Sequence, residues 1–83
     1  MSIVFGRYLM FNRITFDSEI MRGRACIRGM RIPVSLVVNL IANGMSEKEI
    51  LAEYPDLEGA DIQESLKYAA WLANEEVHSY SEI

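Results

Sequence analysis

The sequence predicts a mainly α domain: a three-helix, helix-turn-helix-like core preceded by a short β-hairpin or β-arm. Three observations lead there. The chain changes character once, near Pro33, with short apolar pieces between turn residues before it and helical spacing after it. Val34, Val37, Leu40 and Ile41 then recur at helical intervals, and Gly44 closes the run as a C-cap. Ser46 followed by Glu49 has the form of a capping box, the clearest local signal in the chain.

Taken in order, residues 1–12 are an apolar N-terminal extension or dimer arm (Ile3, Val4, Phe5, Tyr8, Leu9, Met10) that follows neither helical nor strand period well. Residues 13–33 form the β-arm. Arg13-Ile14-Thr15-Phe16 alternates polar and apolar, as a half-buried strand does. Cys26-Ile27-Arg28 and Met30-Arg31-Ile32 flank Gly29, which supplies positive φ for a tight turn. Pro33 suits the first turn of the first helix, where its missing N–H costs nothing. The second helix starts at Ser46, with Met45 and Ile50 as a hydrophobic staple, buries Ile50, Leu51 and Tyr54, and must stop at Pro55. The third starts near Glu58–Ala60, carries Ile62, Leu66, Ala69 and Ala73 on one stripe with Tyr68, Trp71 and Leu72 beside it, and runs to about Glu76. The three-helix core is thus 34–76, and 77–83 is a polar tail. A basic strand followed by helices also suits a ribbon-helix-helix fold, but the long third helix disfavours it.

All 83 residues fit one domain. A hydrophobic content of 51% with 10% aromatics excludes a disordered chain, and no apolar run approaches the roughly 18–20 residues of a membrane span. A domain this small buries only roughly 60–65% of its unfolded surface, which favours a homodimer. The start Met-Ser-Ile-Val-Phe-Gly-Arg lacks the order of a signal peptide, and one thiol fits a reducing cytoplasm.

The net charge of −4 hides a division. Residues 1–34 carry six arginines against Asp17 and Glu19, whereas residues 35–83 carry Lys48 and Lys67 against ten carboxylates. Those carboxylates, Asp61 and Glu64 among them, fall at exposed helical phases and read as a solvated face. His78 lies in the polar tail, and Cys26 sits in a strand as a small buried hydrophobe whose neighbours Arg24 and Arg28 can lower its pKa. One cysteine and one histidine cannot build a structural zinc site, and Gly23 and Gly29 are too sparse for a phosphate loop. The expectation is therefore no enzyme, no metal and no cofactor.

Arg22, Arg24, Arg28 and Arg31 fall within ten residues, around the turn at Gly29. Guanidinium groups bind phosphate and carboxylate bidentately, so such a cluster suits a DNA backbone or an acidic protein site. Pairing with the chain's own acidic helices, or with those of a dimer partner, accounts for the same residues. The third helix exposes Glu58, Asp61, Gln63 and Glu64 with one lysine, Lys67, a poor surface to lay in a DNA groove.

Arg13-Ile-Thr-Phe-Asp17, Ile20 and Gly23-Arg-Ala-Cys-Ile-Arg-Gly-Met-Arg-Ile-Pro-Val34 resemble the hallmark of the small bacterial domain-of-unknown-function family 433. The stretches Ala42-Asn-Gly-Met-Ser-Glu-Lys-Glu-Ile50, Tyr54-Pro-Asp-Leu57, Asp61-Ile62 and Tyr68-Ala-Ala70 extend the similarity over residues 13–72. The motif residues are Gly23, Cys26, Ile27, Gly29, Ile32, Pro33, Ser46 and Glu49. Ala25 stands where the family's pattern has proline and Met30 where it has threonine, and Glu58-Gly59 replaces a threonine-like cap. The resemblance implies a helix-turn-helix-like fold after a β-element. For some members it also implies a VapB-type antitoxin role in a type II toxin–antitoxin system.

On that footing the expected function is a non-catalytic, dimeric antitoxin-like regulator. It neutralises a PIN-like ribonuclease, with its own operator DNA as a candidate second partner, and Arg22, Arg24, Arg28 and Arg31 bind either operator phosphates or the nuclease's carboxylate-rich metal site. The alternatives are a stand-alone DNA-binding repressor and a dimeric structural or adaptor module.

Overall fold

The structure, a computed structural model, describes residues 11–81, with side chains for residues 11–74. The expectations for the first ten residues and for His78 lie outside these. The elements are β1 (Ile14–Phe16), β2 (Ala25–Ile27), α1 (Val34–Ala42), α2 (Glu47–Glu53) and α3 (Gly59–Ser81). This is the expected hairpin followed by three helices. The two strands pair with each other in one chain, so the ribbon-helix-helix arrangement is set aside.

β1 and β2 are antiparallel, with Ile14 opposite Ile27, Thr15 opposite Cys26 and Phe16 opposite Ala25. The hairpin therefore closes across residues 17–24, a longer connection than a turn at Gly29 would give. That connection contains an Asx turn, in which the Glu19 N–H donates to Asp17 Oδ1 at 2.9 Å. It then winds left-handed: Met21, Arg22 and Gly23 have φ of 52°, 59° and 80°. For the two residues with a Cβ, this conformation costs roughly 1–2 kcal/mol each.

The turn expected at Gly29 exists, but it leads out of β2 rather than joining two strands of equal standing. Arg28 (φ 44°) and Gly29 (φ 72°) are its central residues, and the Met30 N–H closes it on Ile27 O at 2.8 Å. Two central residues with positive φ are the mark of a type I′ turn. The Thr15 hydroxyl holds it, accepting the Gly29 N–H at 2.8 Å. The chain then returns beside β2: the Ile27 N–H donates to Ile32 O, and Cys26 bridges to Pro33.

Pro33 is extended (ψ 147°) and is the N-cap of α1, one position before the expected first turn. Gly44 (φ 94°) ends α1 in a Schellman motif, with Gly44 N–H donating to Ile41 O and Met45 N–H to Leu40 O, each at 3.0 Å. The capping box of α2 is complete. The Glu49 N–H donates to Ser46 Oγ at 3.1 Å, and the Ser46 N–H donates to Glu49 Oε1 at 2.8 Å. α2 stops at Tyr54, before Pro55.

The core joins the hairpin to all three helices through Phe11, Ile14, Ile27, Val34, Val37, Ile50, Leu57, Ile62 and Tyr68. Residues 13–33 are thus a packed layer rather than a projecting arm. The buried stripe of α3 is rotated from the expected one: Asp61, Ile62, Ser65 and Tyr68 are buried, Leu66 and Ala69 are half-buried, and Ala73 is exposed. The helix also continues past Glu76 to Ser81, so most of the expected tail is helical. Among the described residues, no helix is long and apolar enough to cross a membrane.

Candidate functional site

The main correction to the sequence reading is Asp61, expected on a solvated face and found 0% exposed. Its place follows from the helix start. Asp61 is the third residue of α3, and its Oδ2 accepts the Glu58 N–H at 2.8 Å, half of a capping box that the Glu58-Gly59 start otherwise lacks. This turns the carboxylate toward the hairpin. There Arg28 donates through Nε at 3.0 Å to Oδ1 and through Nη2 at 2.9 Å to Oδ2, the bidentate fork that suits guanidinium. Arg13 adds a third arm, with Nη1 at 2.9 Å from Asp61 Oδ1 and 2.8 Å from Glu58 Oε1. The Arg13 N–H also donates to Glu64 Oε2, at 2.6 Å.

Burial pushes the Asp61 carboxyl up, but hydrogen bonds from Arg28, the Glu58 N–H and Arg13 outweigh it and hold the group below the ordinary carboxylate range. The same bonds raise both guanidinium groups above theirs, through Glu58 and Asp61 for Arg13 and through Asp61 for Arg28. A buried charge without partners would be costly; here both oxygens are taken.

The four arginines of the motif therefore separate. Arg28 is bound to Asp61, and its second Nη2 contact is the Asp56 carbonyl at 2.8 Å. That removes it from the group free to meet an outside anion. Arg24 and Arg31 are exposed, and the charges of both act on the Cys26 thiol between them in sequence. Arg24 Nη2 donates to Ser35 Oγ at 3.1 Å, at the start of α1. Arg22 is exposed at the left-handed turn, and no contact brings it to the other two. Among the described residues, no carboxylate lies within ion-pair distance of Arg22, Arg24 or Arg31.

Cys26 is buried, as expected for a strand cysteine. Burial pushes its thiol up, and the charges of Arg24 and Arg31 pull it only part of the way back. The arginines acting on it are thus 24 and 31 rather than 24 and 28. Of the remaining motif residues, Gly23 and Gly29 hold positive φ, Ile27 is core, and Ile32 and Pro33 bring the chain back beside β2. Sequence reasoning missed Arg13 and Asp61 as partners. The one available signal was Asp61 at three residues past Glu58, the spacing of a cap.

Beside Arg24 runs a groove of about 400 Å3 between β2, α1 and α3. Ala25, Val34, Val38, Tyr68, Ala69 and Leu72 form its apolar walls, and Arg24 and Ser35 stand at its edge.

Fold and site together define a hairpin-and-three-helix domain whose basic hairpin is locked to an acidic helix by one buried carboxylate. The chain belongs to the family described as Protein of unknown function (DUF433), whose model matches residues 14–69. No curated protein matches it. Among solved structures, it is similar to the crystal structure of a DUF433 member protein from Anabaena variabilis ATCC 29413. The likeness has 26% sequence identity and a TM-score of 0.70, over 96% of this chain and 79% of that one.

Proposed function

We propose that this protein is a non-catalytic, homodimeric antitoxin-like regulator in the cytoplasm, which neutralises a PIN-like ribonuclease by offering arginines to its carboxylate-lined metal site. The observation that carries this reading is the pair Arg24 and Arg31, both exposed on the segment around Cys26 with no carboxylate of the described residues within ion-pair distance. An inserted guanidinium forms paired hydrogen bonds to a carboxylate and displaces magnesium, which needs those oxygens in octahedral order.

The charge on the helices favours an acidic protein site over operator DNA. α1 carries no charged residue at all. On α2 exposed Lys48 stands with exposed Glu49 and Glu53, and exposed Glu58 lies just before α3, which carries Lys67. Laid in a groove, α1 brings no charge to the phosphates, and α2 and α3 each bring one lysine with acids beside it.

Co-expression with the adjacent open reading frame tests the proposal. The expected result is co-purification with a PIN-like neighbour, lost in the double variant Arg24→Glu, Arg31→Glu and retained in Lys67→Glu. A neighbour of another kind, or a complex indifferent to the arginine pair, overturns it. Salt-dependent binding to the protein's own promoter, weakened by the same double variant, would instead support the repressor reading.

A further inference from the structure

We infer that the groove beside Arg24 is a docking site for an amphipathic, acidic segment of a protein partner, apolar on one face with a carboxylate on its flank. This inference rests on the proposed contact between the exposed arginines and an acidic protein, and it adds where the partner's apolar side chains sit.

The groove is asymmetric in chemistry. Its walls are aliphatic and aromatic: Ala25 from β2, Val34 and Val38 from α1, and Tyr68, Ala69 and Leu72 from α3. Its one charged lining residue is Arg24, which is exposed and tethered only to the neutral Ser35 hydroxyl. Arg31, exposed four residues after the end of β2, adds a second positive charge to the same segment of the chain. Among the described residues, no carboxylate lines the groove.

An occupant that satisfies both parts must be apolar over the walls and anionic at one edge. A nucleic-acid strand matches the arginine but leaves the aliphatic walls facing phosphates. A basic segment is repelled at the edge. A helix with leucine-like anchors at three- and four-residue spacing and a glutamate beside them matches both, which is the helix-in-groove mode of recognition. The volume, about 400 Å3, suits a few such anchors.

The test uses the full chain with labelled methyl groups and a short helical peptide carrying leucines on one face and glutamates on the flank. Addition is expected to shift the methyl signals of Val34, Val38 and Leu72. Replacing the glutamates by lysines should weaken binding by about tenfold, the value of one charge-assisted contact. Arg24→Glu should reverse that preference. Ala69→Gln, which narrows the groove without touching the arginine, should abolish binding of the glutamate peptide; if that variant does not fold, the charge reversal decides alone.

No shift at millimolar peptide overturns the proposal. So does equal binding of the lysine peptide, or equal binding of a peptide with serines for leucines. Contacts in the free protein from the groove methyls to residues 1–10, or to a second copy of the chain, assign the groove to those occupants and also overturn it. In the co-purification assay, a complex lost in Arg24→Glu but kept in Ala69→Gln removes the groove and leaves the antitoxin reading standing. A complex lost in neither removes both.

Discussion

At the scale of single residues, the molecule turns on one carboxylate. Asp61 is fully buried and receives four donors: two from Arg28, one from Arg13 and the Glu58 N–H. A buried ion pair is not by itself evidence of high stability, because well-packed apolar groups of similar volume often do as well. Removing one partner is different, since its counterparts stay behind unpaired. Asp61→Ala leaves two guanidinium groups facing each other across an empty site, along with an uncapped Glu58 N–H. The expected loss is about 3 kcal/mol, at the low end of the range for broken buried pairs because both arginines reach solvent. For a chain of this size that lowers Tm by roughly 12–24 °C. Arg31→Ala, which removes an exposed side chain with no carboxylate of the described residues within ion-pair distance, should leave Tm nearly unchanged. Thermal unfolding followed by circular dichroism compares the two directly, and equal effects would refute the assignment of Asp61 as the lock.

At the scale of elements, the hairpin's strands and the caps between the helices were legible in the sequence, and the left-handed turns of the hairpin were not. Ser46, Glu49, Gly44 and Pro55 act through neighbours three to five positions away, so their residue types alone specify the geometry. The left-handed backbone at Met21, Arg22 and Arg28 has no such signature, because nothing about methionine or arginine asks for positive φ. It is imposed by the pairing of β1 with β2 and by the Thr15 hydroxyl on the Gly29 N–H, contacts between residues far apart in the chain. The capping box gives this contrast a measurable form. Ser46→Ala removes the acceptor for the Glu49 N–H and should cost about 1 kcal/mol, with Ser46→Gly costing only a few tenths. Denaturant midpoints of the two variants should therefore differ in that order. The reverse order would mean that the Ser46 side chain does not cap α2.

At the scale of the whole molecule, the division of charge between the basic first third and the acidic remainder is partly an internal match. Arg13 and Arg28 meet Glu58, Asp61 and Glu64 across the hairpin–α3 contact. Their separation in sequence, 33 to 51 positions, is why spacing alone did not reveal the pairing. A polar residue on the inner face of a helix looks, in a hydrophobicity pattern, like a residue on the outer face; only the cap relation of Asp61 to Glu58 distinguished it. The match ties stability to pH with a definite sign. In the unfolded chain an aspartate titrates near about 3.9, whereas in the folded protein Asp61 is held lower. The folded state thus binds fewer protons, so this contribution is fully present above the unfolded value and is lost as pH falls through the folded one. Glu49, lowered by the Ser46 N–H and hydroxyl, acts in the same direction from an exposed position. Glu58 and Glu64, which also face Arg13, are the other carboxylates at this contact. The native protein should therefore lose stability steeply below about pH 4. Asp61→Asn, already less stable at neutral pH, should show a shallower acid slope, because the proton-linked carboxyl at the lock is gone. Urea titrations at a series of acidic pH values measure that slope, and parallel slopes for the two proteins would place the acid sensitivity elsewhere than at the lock between hairpin and helix.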